Sequence, residues 1–202
     1  MKIDTLVLAS NNPHKTDELR ALLDGLPVTL KDLSDYPGMQ PVDEDGDTLE
    51  DNAVKKALAA HVYTGLPAVA DDTGLEVYYL LGAPGVYSAR YAGEGATYAD
   101  NVRKLLRTMT QVPARKRQAR FRTVIAAAGF GRMQTFEGRV EGAITLAPAG
   151  TNGFGYDPIF RVEGMTRTYA ELSADEKNSI SHRARAMMQF RTWLAEYLKG
   201  HQ

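Results

Sequence analysis

Ala68-Val69-Ala70-Asp71-Asp72-Thr73-Gly74-Leu75-Glu76-Val77 is the stretch around which the rest of the chain is organised. An apolar run enters two adjacent acids, then a hydroxyl and a glycine, then apolar residues again. Carboxylates inside a buried strand are costly unless paired or bound to a cation; at a strand's end they can face a cleft. Strand side chains alternate between faces, so Asp71 and Asp72 cannot face one ligand equally. The strand reading gives one acid to a cation or water and the other to local backbone. Asp-Asp-Thr-Gly is also turn chemistry, and on this segment alone the turn is the stronger reading.

Toward the N-terminus, Thr5–Ala9 reads as a buried strand. Ser10-Asn11-Asn12-Pro13-His14-Lys15 follows and opens a helical pattern through Leu19, Leu22 and Leu23. Pro13 suits a first helical position, and Ser10 to Asn12 supply caps. Such a helix start presents backbone N–H groups and a positive dipole end, and Lys15 adds a cation. The alternatives are a phosphate seat or an ordinary capped helix with a solvated lysine. Residues 32–47 read as a loop carrying the acidic cluster Val42-Asp43-Glu44-Asp45-Gly46-Asp47, which is a solvated face or part of a cation site. Thr48 to Asp51 form a capping box. The helix it opens is expected to bury Ala53, Val54, Ala57, Leu58, His61 and Val62 and to end at Gly65, with Lys55 and Lys56 at the margin.

Toward the C-terminus, Gly82–Gly93 is an irregular loop with two tyrosines and Arg90. Thr97–Asp100 is a second capping box, leading into Val102, Leu105, Leu106 and Met109 at helical spacing. Phe121–Phe130 and about Met133–Leu146 form a long hairpin turning at Gly131-Arg132. The basic run Arg115, Lys116, Arg117, Arg120 and Arg122 could touch nucleic acid, but with a near-neutral net charge it reads more readily as an exposed, positively charged strand. Pro148 to Phe160 is a glycine-rich loop whose aromatics can stack on a flat ligand and whose glycines let backbone approach it. Ser173–Glu176 caps one last helix with the core stripe Ile180, Ala184, Met187, Met188, Leu194, Tyr197 and Leu198. Its first turns carry Lys177, Asn178, His182, Arg183 and Arg185. Cations there oppose the helix dipole, so they point to an anionic or polar ligand or to pairing with Glu171, Asp175 or Glu176.

At 202 residues and 44% hydrophobic, the chain has enough apolar material for one large domain or two closely joined lobes. No linker separates independent domains, so residues 1–202 read as a single domain. A formal net charge of −1 provides no basic field to gather polymeric nucleic acid. There is no cysteine, which excludes disulfides, thiol nucleophiles and cysteine-bound metals and fits a reducing cytoplasm. The apolar run near the N-terminus ends by Ala9, too short for a signal peptide or a membrane span. Ser and His occur without a nucleophile-elbow pattern.

Five motifs, in order, carry a family resemblance. They are Ser10-Asn11-Asn12-Pro13-His14-Lys15, Ala70-Asp71-Asp72-Thr73-Gly74-Leu75, Gly82 through Tyr91, Gly153-Phe154-Gly155-Tyr156-Asp157-Pro158, and Glu176 through Arg183. With them the chain resembles the inosine/xanthosine triphosphatase (Ham1-like) family, pyrophosphatases of non-standard purine nucleoside triphosphates such as ITP, dITP and XTP. The resemblance implies an α/β fold with a mixed central sheet flanked by helices, two lobes around a deep substrate cleft, and a homodimer. It implies Mg²⁺-dependent cleavage between the α- and β-phosphates, giving a monophosphate and pyrophosphate. Carried over by motif, Glu44 and Asp72 are the magnesium ligands, Asp72 is also the proton acceptor, and the Glu44 assignment rests on its spacing of eight from Asn52. Ser10, Asn11, Asn12, Pro13, His14, Lys15 and Lys56 hold the triphosphate, and Thr73 contacts substrate. Phe154, Gly155, Tyr156, Asp157, Lys177, His182 and Arg183 enclose the nucleoside, with Arg183 donating to the 6-keto oxygen that adenine lacks. The family often has Ser at Thr73 and Gly at His14, which leaves the local substrate fit open.

Overall fold

The structure is a computed structural model describing residues 3–200; Met1, Lys2, His201 and Gln202 lie outside the described residues. Six strands form one sheet: β1 (Thr5–Leu8), β2 (Thr29–Asp32), β3 (Ala68–Val77), β4 (Gln118–Ala128), β5 (Gln134–Ile144) and β6 (Phe160–Val162). Their order is β2-β1-β3-β4-β5-β6. β1 runs parallel to both β2 and β3, and β5 is antiparallel to β6, so the sheet is mixed. The helices are α1 (Pro13–Leu23), α2 (Leu49–Thr64), α3 (Tyr98–Thr108), α4 (Ala174–Ile180) and α5 (His182–Lys199).

The Asp71-Asp72 segment lies in the middle of a ten-residue strand and not in a turn. Both acids are buried, 2% and 6% exposed. Local turn chemistry gives way here because charged partners outweigh the desolvation of Asp71 and oppose part of that of Asp72. β2, a short strand with the charged residues Lys31 and Asp32, was not expected from the sequence; it pairs with β1 from Thr5↔Thr29 to Leu8↔Asp32.

The chain divides into two compact units. Unit 1 comprises residues 1–72, 123–138 and 183–202; unit 2 comprises 73–122 and 139–182. Unit 1 packs Leu6, Leu8, Leu19, Leu23, Val69, Ile125, Met187, Phe190 and Leu194 into one core. Unit 2 packs Leu75, Val102, Leu105, Met109, Phe121, Phe160 and Tyr169 into another.

Three expectations are corrected. The last helix is two helices, because Ser181 adopts an extended backbone (φ −69°, ψ 157°) between α4 and α5. Met188 is 60% exposed and so is not core. On α2 the buried face is Leu49, Asn52, Ala53, Ala57 and Ala60. Leu58 and Val62, at 47% and 74% exposed, point outward. Ala53 and Ala57 are buried as expected, and Leu49, Asn52 and Ala60 complete the face in place of Leu58 and Val62.

Candidate functional site

In unit 1 the parallel register brings α1 to β3. Leu8 pairs with Val69, and the Ala9 N–H donates to the Val69 carbonyl at 2.7 Å. The chain then enters α1, and Asp71 lies two residues beyond Val69 on β3. Ligand sites of α/β sheets form at such carboxyl ends of parallel strands. The Lys15 Nζ lies 3.2 Å from the Asp71 Oδ2. The same oxygen accepts from the Arg183 Nε at 3.2 Å, and the Arg183 Nη1 donates to Glu18. Burial pushes the Asp71 carboxyl up, but Lys15 and then Arg183 outweigh it and hold it well below the usual carboxylate range. Burial lowers the Lys15 ammonium, against the opposing charge of Asp71.

Asp72 points to other partners, as strand alternation requires. Asn52 and Lys56 stand four apart on α2 and so share a face. The Asn52 Nδ2 donates to the Asp72 Oδ2 at 3.3 Å, and the Lys56 Nζ lies 3.5 Å from the Asp72 Oδ1. The same ammonium lies 2.5 Å from the Glu44 Oε1. Burial raises the Asp72 carboxyl, with Lys56 and Lys15 opposing and Glu44 and Asp71 adding to it. Glu44 is lowered despite its burial, because Lys56 outweighs that cost. Lys56 is raised despite its burial by Asp72 and Glu44.

Two carboxylates from separate segments therefore meet one cation. Among the described residues, no three His, Cys, Asp or Glu side chains gather closely enough to cage a metal. Magnesium does not need such a cage: one or two carboxylates with waters and substrate phosphates suffice. The oxygen-only donor set of Glu44 and Asp72 fits it.

The start of α1 has the cap expected from Ser10 to Asn12, with Pro13 at the first helical position. Asn12 is the N-cap, and its Oδ1 accepts the N–H groups of His14 (3.1 Å) and Lys15 (3.4 Å). The Ser10 Oγ in turn accepts the Asn12 N–H at 3.2 Å. Backbone donors expected to face a phosphate are thus already engaged by the cap, and Lys15 supplies the cationic contribution. Asn11 and Pro13 lie in the same turn, and Thr73 follows Asp72 directly in β3 as the first residue of unit 2.

Unit 2 holds the second group of candidates. The Asp157 Oδ2 accepts the Phe154 N–H at 2.9 Å and lies 2.8 Å from the Lys177 Nζ. That ammonium stands 4.7 Å from the Phe154 ring centroid, and Tyr98 lies 5.9 Å from the same ring. Gly153 has φ +72°, and a Cβ there would sit 2.1 Å from the Asp157 Oδ2, so this close approach requires glycine. Gly155 also has a positive φ, +63°. His182 stacks on Phe121 at 4.5 Å and 13°. Tyr156 is buried and donates its hydroxyl to the Ser88 carbonyl at 2.9 Å, so it belongs to the core of the loop. An open hollow of about 580 Å³ elsewhere in unit 2, lined by Glu94, Asp100, Arg103, Lys104 and Arg107 among others, includes none of these candidates.

The structure thus brings Lys15, Glu44, Lys56, Asp72 and Arg183 together in unit 1. It brings Phe154, Asp157 and Lys177 together in unit 2. Lys177 and His182 belong to unit 2, and Arg183 to unit 1. The sequence reading did not single out Glu18, or Asn52 as a partner of Asp72. The i, i+4 spacing of Asn52 and Lys56 on one helix is the sequence signal that could have found the latter.

A mixed-sheet α/β protein with a buried carboxylate–ammonium cluster beside a helix start falls in the α/β class whose ligand sites lie at the carboxyl ends of parallel strands. The comparisons narrow the class: the chain belongs to the Ham1 family, whose model matches residues 6–193. It is 45% identical over 194 residues to a dITP/XTP pyrophosphatase of Thermoanaerobacter sp. (strain X514), covering 96% of this chain and 98% of that one. It is 51% identical over 183 residues to a dITP/XTP pyrophosphatase of Geobacter sulfurreducens, covering 90% and 92%. A HAM1 protein from Coxiella burnetii superposes with a TM-score of 0.88 at 42% identity, covering 97% of this chain and all of that one.

Proposed function

We propose that this chain is a dITP/XTP pyrophosphatase: it adds water to a non-standard purine nucleoside triphosphate and releases the monophosphate and pyrophosphate. The observation that carries the reading is Glu44 and Asp72 converging on Lys56, with Lys15 on the neighbouring acid. Carboxylates repel phosphates unless a cation accompanies them, and this cluster has two ammonium groups beside an oxygen donor set suited to magnesium. Relatives with 45% and 51% identity over nearly the whole chain bear the same activity in their names.

Asp72 is the proton acceptor in this reading. Burial raises its carboxyl, and a carboxylate of higher pKa is a stronger base toward water. Lys15 and Lys56 stabilise charge on the phosphates and on the pyrophosphate leaving group. Glu44 and Asp72 would hold Mg²⁺, which when bound neutralises triphosphate charge and acidifies water. Phe154 offers a ring face to the base, and the Asp157–Lys177 pair holds the backbone of its loop. The family resemblance further supports a homodimer, and the absence of cysteine accords with the cytoplasm. No helix among the described residues is long and apolar enough to cross a membrane.

The test is a panel of nucleoside triphosphates assayed for pyrophosphate and for single phosphates, with and without Mg²⁺. Pyrophosphate from dITP and XTP, dependent on Mg²⁺ and much slower from ATP, is the expected result. Release of single phosphates, or equal rates on ATP, overturns the proposal.

A further inference from the structure

Residues 39–46 carry no regular secondary structure, yet they present Glu44 to Lys56. A side chain on such a segment is placed only if tertiary contacts fix its backbone. One contact does so from inside the fold. The Gly46 N–H donates to the Asn52 Oδ1 at 2.8 Å, two residues from Glu44. Asn52 is fully buried, and its other amide atom donates to the Asp72 Oδ2 at 3.3 Å.

One amide therefore ties the backbone of the Glu44 loop to the carboxylate of β3. Its orientation follows from its partners: a backbone N–H needs an acceptor, and a carboxylate oxygen needs a donor. Asn is the shortest side chain that carries its acceptor and its donor on two separate atoms. Asp has no donor when ionised, and a hydroxyl does not extend as far. The loop is packed against this amide: a Cβ on Gly46 would stand 2.8 Å from the Asn52 Oδ1 and 2.7 Å from the Asp51 Cβ. Asn52 and Lys56 lie four apart on one helix face: Lys56 meets the Glu44 and Asp72 carboxylates, while Asn52 meets the Asp72 carboxylate and the backbone two residues from Glu44.

We propose that Asn52 is a positioning residue that sets the spacing of Glu44 and Asp72 for a divalent cation. The inference rests on the metal-dependent reading given above. Asn52 touches neither metal nor substrate in this role; it acts through the Asp72 carboxylate and the backbone of the loop that carries Glu44. Partners that orient metal-binding groups are worth roughly 10- to 100-fold in metal affinity.

The experiment titrates Mn²⁺, a paramagnetic stand-in for Mg²⁺, into the full-length protein without nucleotide and follows free Mn²⁺ by electron paramagnetic resonance. Tm is measured on the same samples. Asn52→Leu keeps the branched outline of the side chain, at a larger volume, and removes both bonds; its Kd for Mn²⁺ is expected to rise about 10-fold or more. A folded Asn52→Leu protein with the wild-type Kd overturns the inference and leaves Asn52 as a fold residue only. Gly46→Ala disturbs the other end of the same clamp and is expected to raise the Kd in the same direction. If Asn52→Leu does not fold, a wild-type Kd in Gly46→Ala overturns the inference instead. A wild-type protein that releases pyrophosphate but binds no Mn²⁺ also overturns it. A wild-type protein that releases no pyrophosphate from dITP refutes the function itself, which separates the two failures.

Discussion

Replacing Arg183 by alanine distinguishes what the sequence expects of this residue from what the structure shows. From sequence, Arg183 is a base reader, and its loss should reduce turnover of dITP or ITP far more than that of ATP. In the structure it is 1% exposed, donates from Nε to Asp71 and from Nη1 to Glu18, and sits in unit 1. Removing one partner of a buried ion pair typically costs about 3–5 kcal/mol, because the remaining charge is left without compensation. Asp71 retains Lys15 at 3.2 Å, which places the loss near the lower end, about 3 kcal/mol. For a chain of this length each kcal/mol shifts Tm by about 2–4 °C, so Arg183→Ala should melt about 6–12 °C lower. Arg183→Lys should recover only part, because an ammonium lacks the planar fork that reaches two carboxylates. Calorimetry on the three proteins, together with kcat/KM for dITP and dATP, is the assay. A Tm within about 2 °C of wild type, accompanied by a selective fall on dITP, would refute the network argument and restore the base-reading role.

Asp72→Asn should lower turnover at least ~100-fold, the lower end for loss of a general base, while Tm stays level or rises. Burial raises this carboxyl, so its charge costs native stability at neutral pH; near-wild-type turnover at saturating Mg²⁺ would rule out the base assignment. Gly153→Ala forces a Cβ into the Asp157 Oδ2 at a positive φ, and should cost about 1–3 kcal/mol and raise KM for dITP. An unchanged KM would remove the Phe154 loop from the nucleoside site. Asp71 is depressed below its ordinary 3.8, so its stabilisation is complete above that value and is lost as pH falls below it. Tm should therefore drop on acidification from about pH 5 toward 2, and more shallowly in Asp71→Asn; parallel curves in the two proteins would contradict the pairing.

Local chemistry made much of this protein legible. Capping boxes at Thr48–Asp51 and Thr97–Asp100 marked two helix starts that the structure reproduces, since cap bonds close within four residues of chain. The β1–α1 junction and the β4–β5 hairpin were equally local. Ordered motifs placed the chain beside its family before any geometry was known.

What tertiary structure alone decided was which partner each charge takes. Asp71 and Asp72 are adjacent in sequence, yet one meets Lys15 and Arg183 while the other meets Asn52 and Lys56. The strand's pleat sends them apart, and only the parallel register of β1 with β3 and the docking of α2 determine what waits on each side. Ser181 shows the same limit: its extended backbone ends α4, with Lys177 in one unit and Arg183 in the other, although nothing in the Ser-Ile-Ser-His sequence is a strong breaker. Apolar periodicity records that a face is buried, but not which of two candidate faces finds the better packing. On α2 the small side chains of Ala53, Ala57 and Ala60 went inward with Asn52, while Leu58 and Val62 were left in solvent. A buried amide beside a carboxylate is affordable only where both of its ends find partners, a condition set by Gly46 in the loop before α2 and by Asp72 on the next strand.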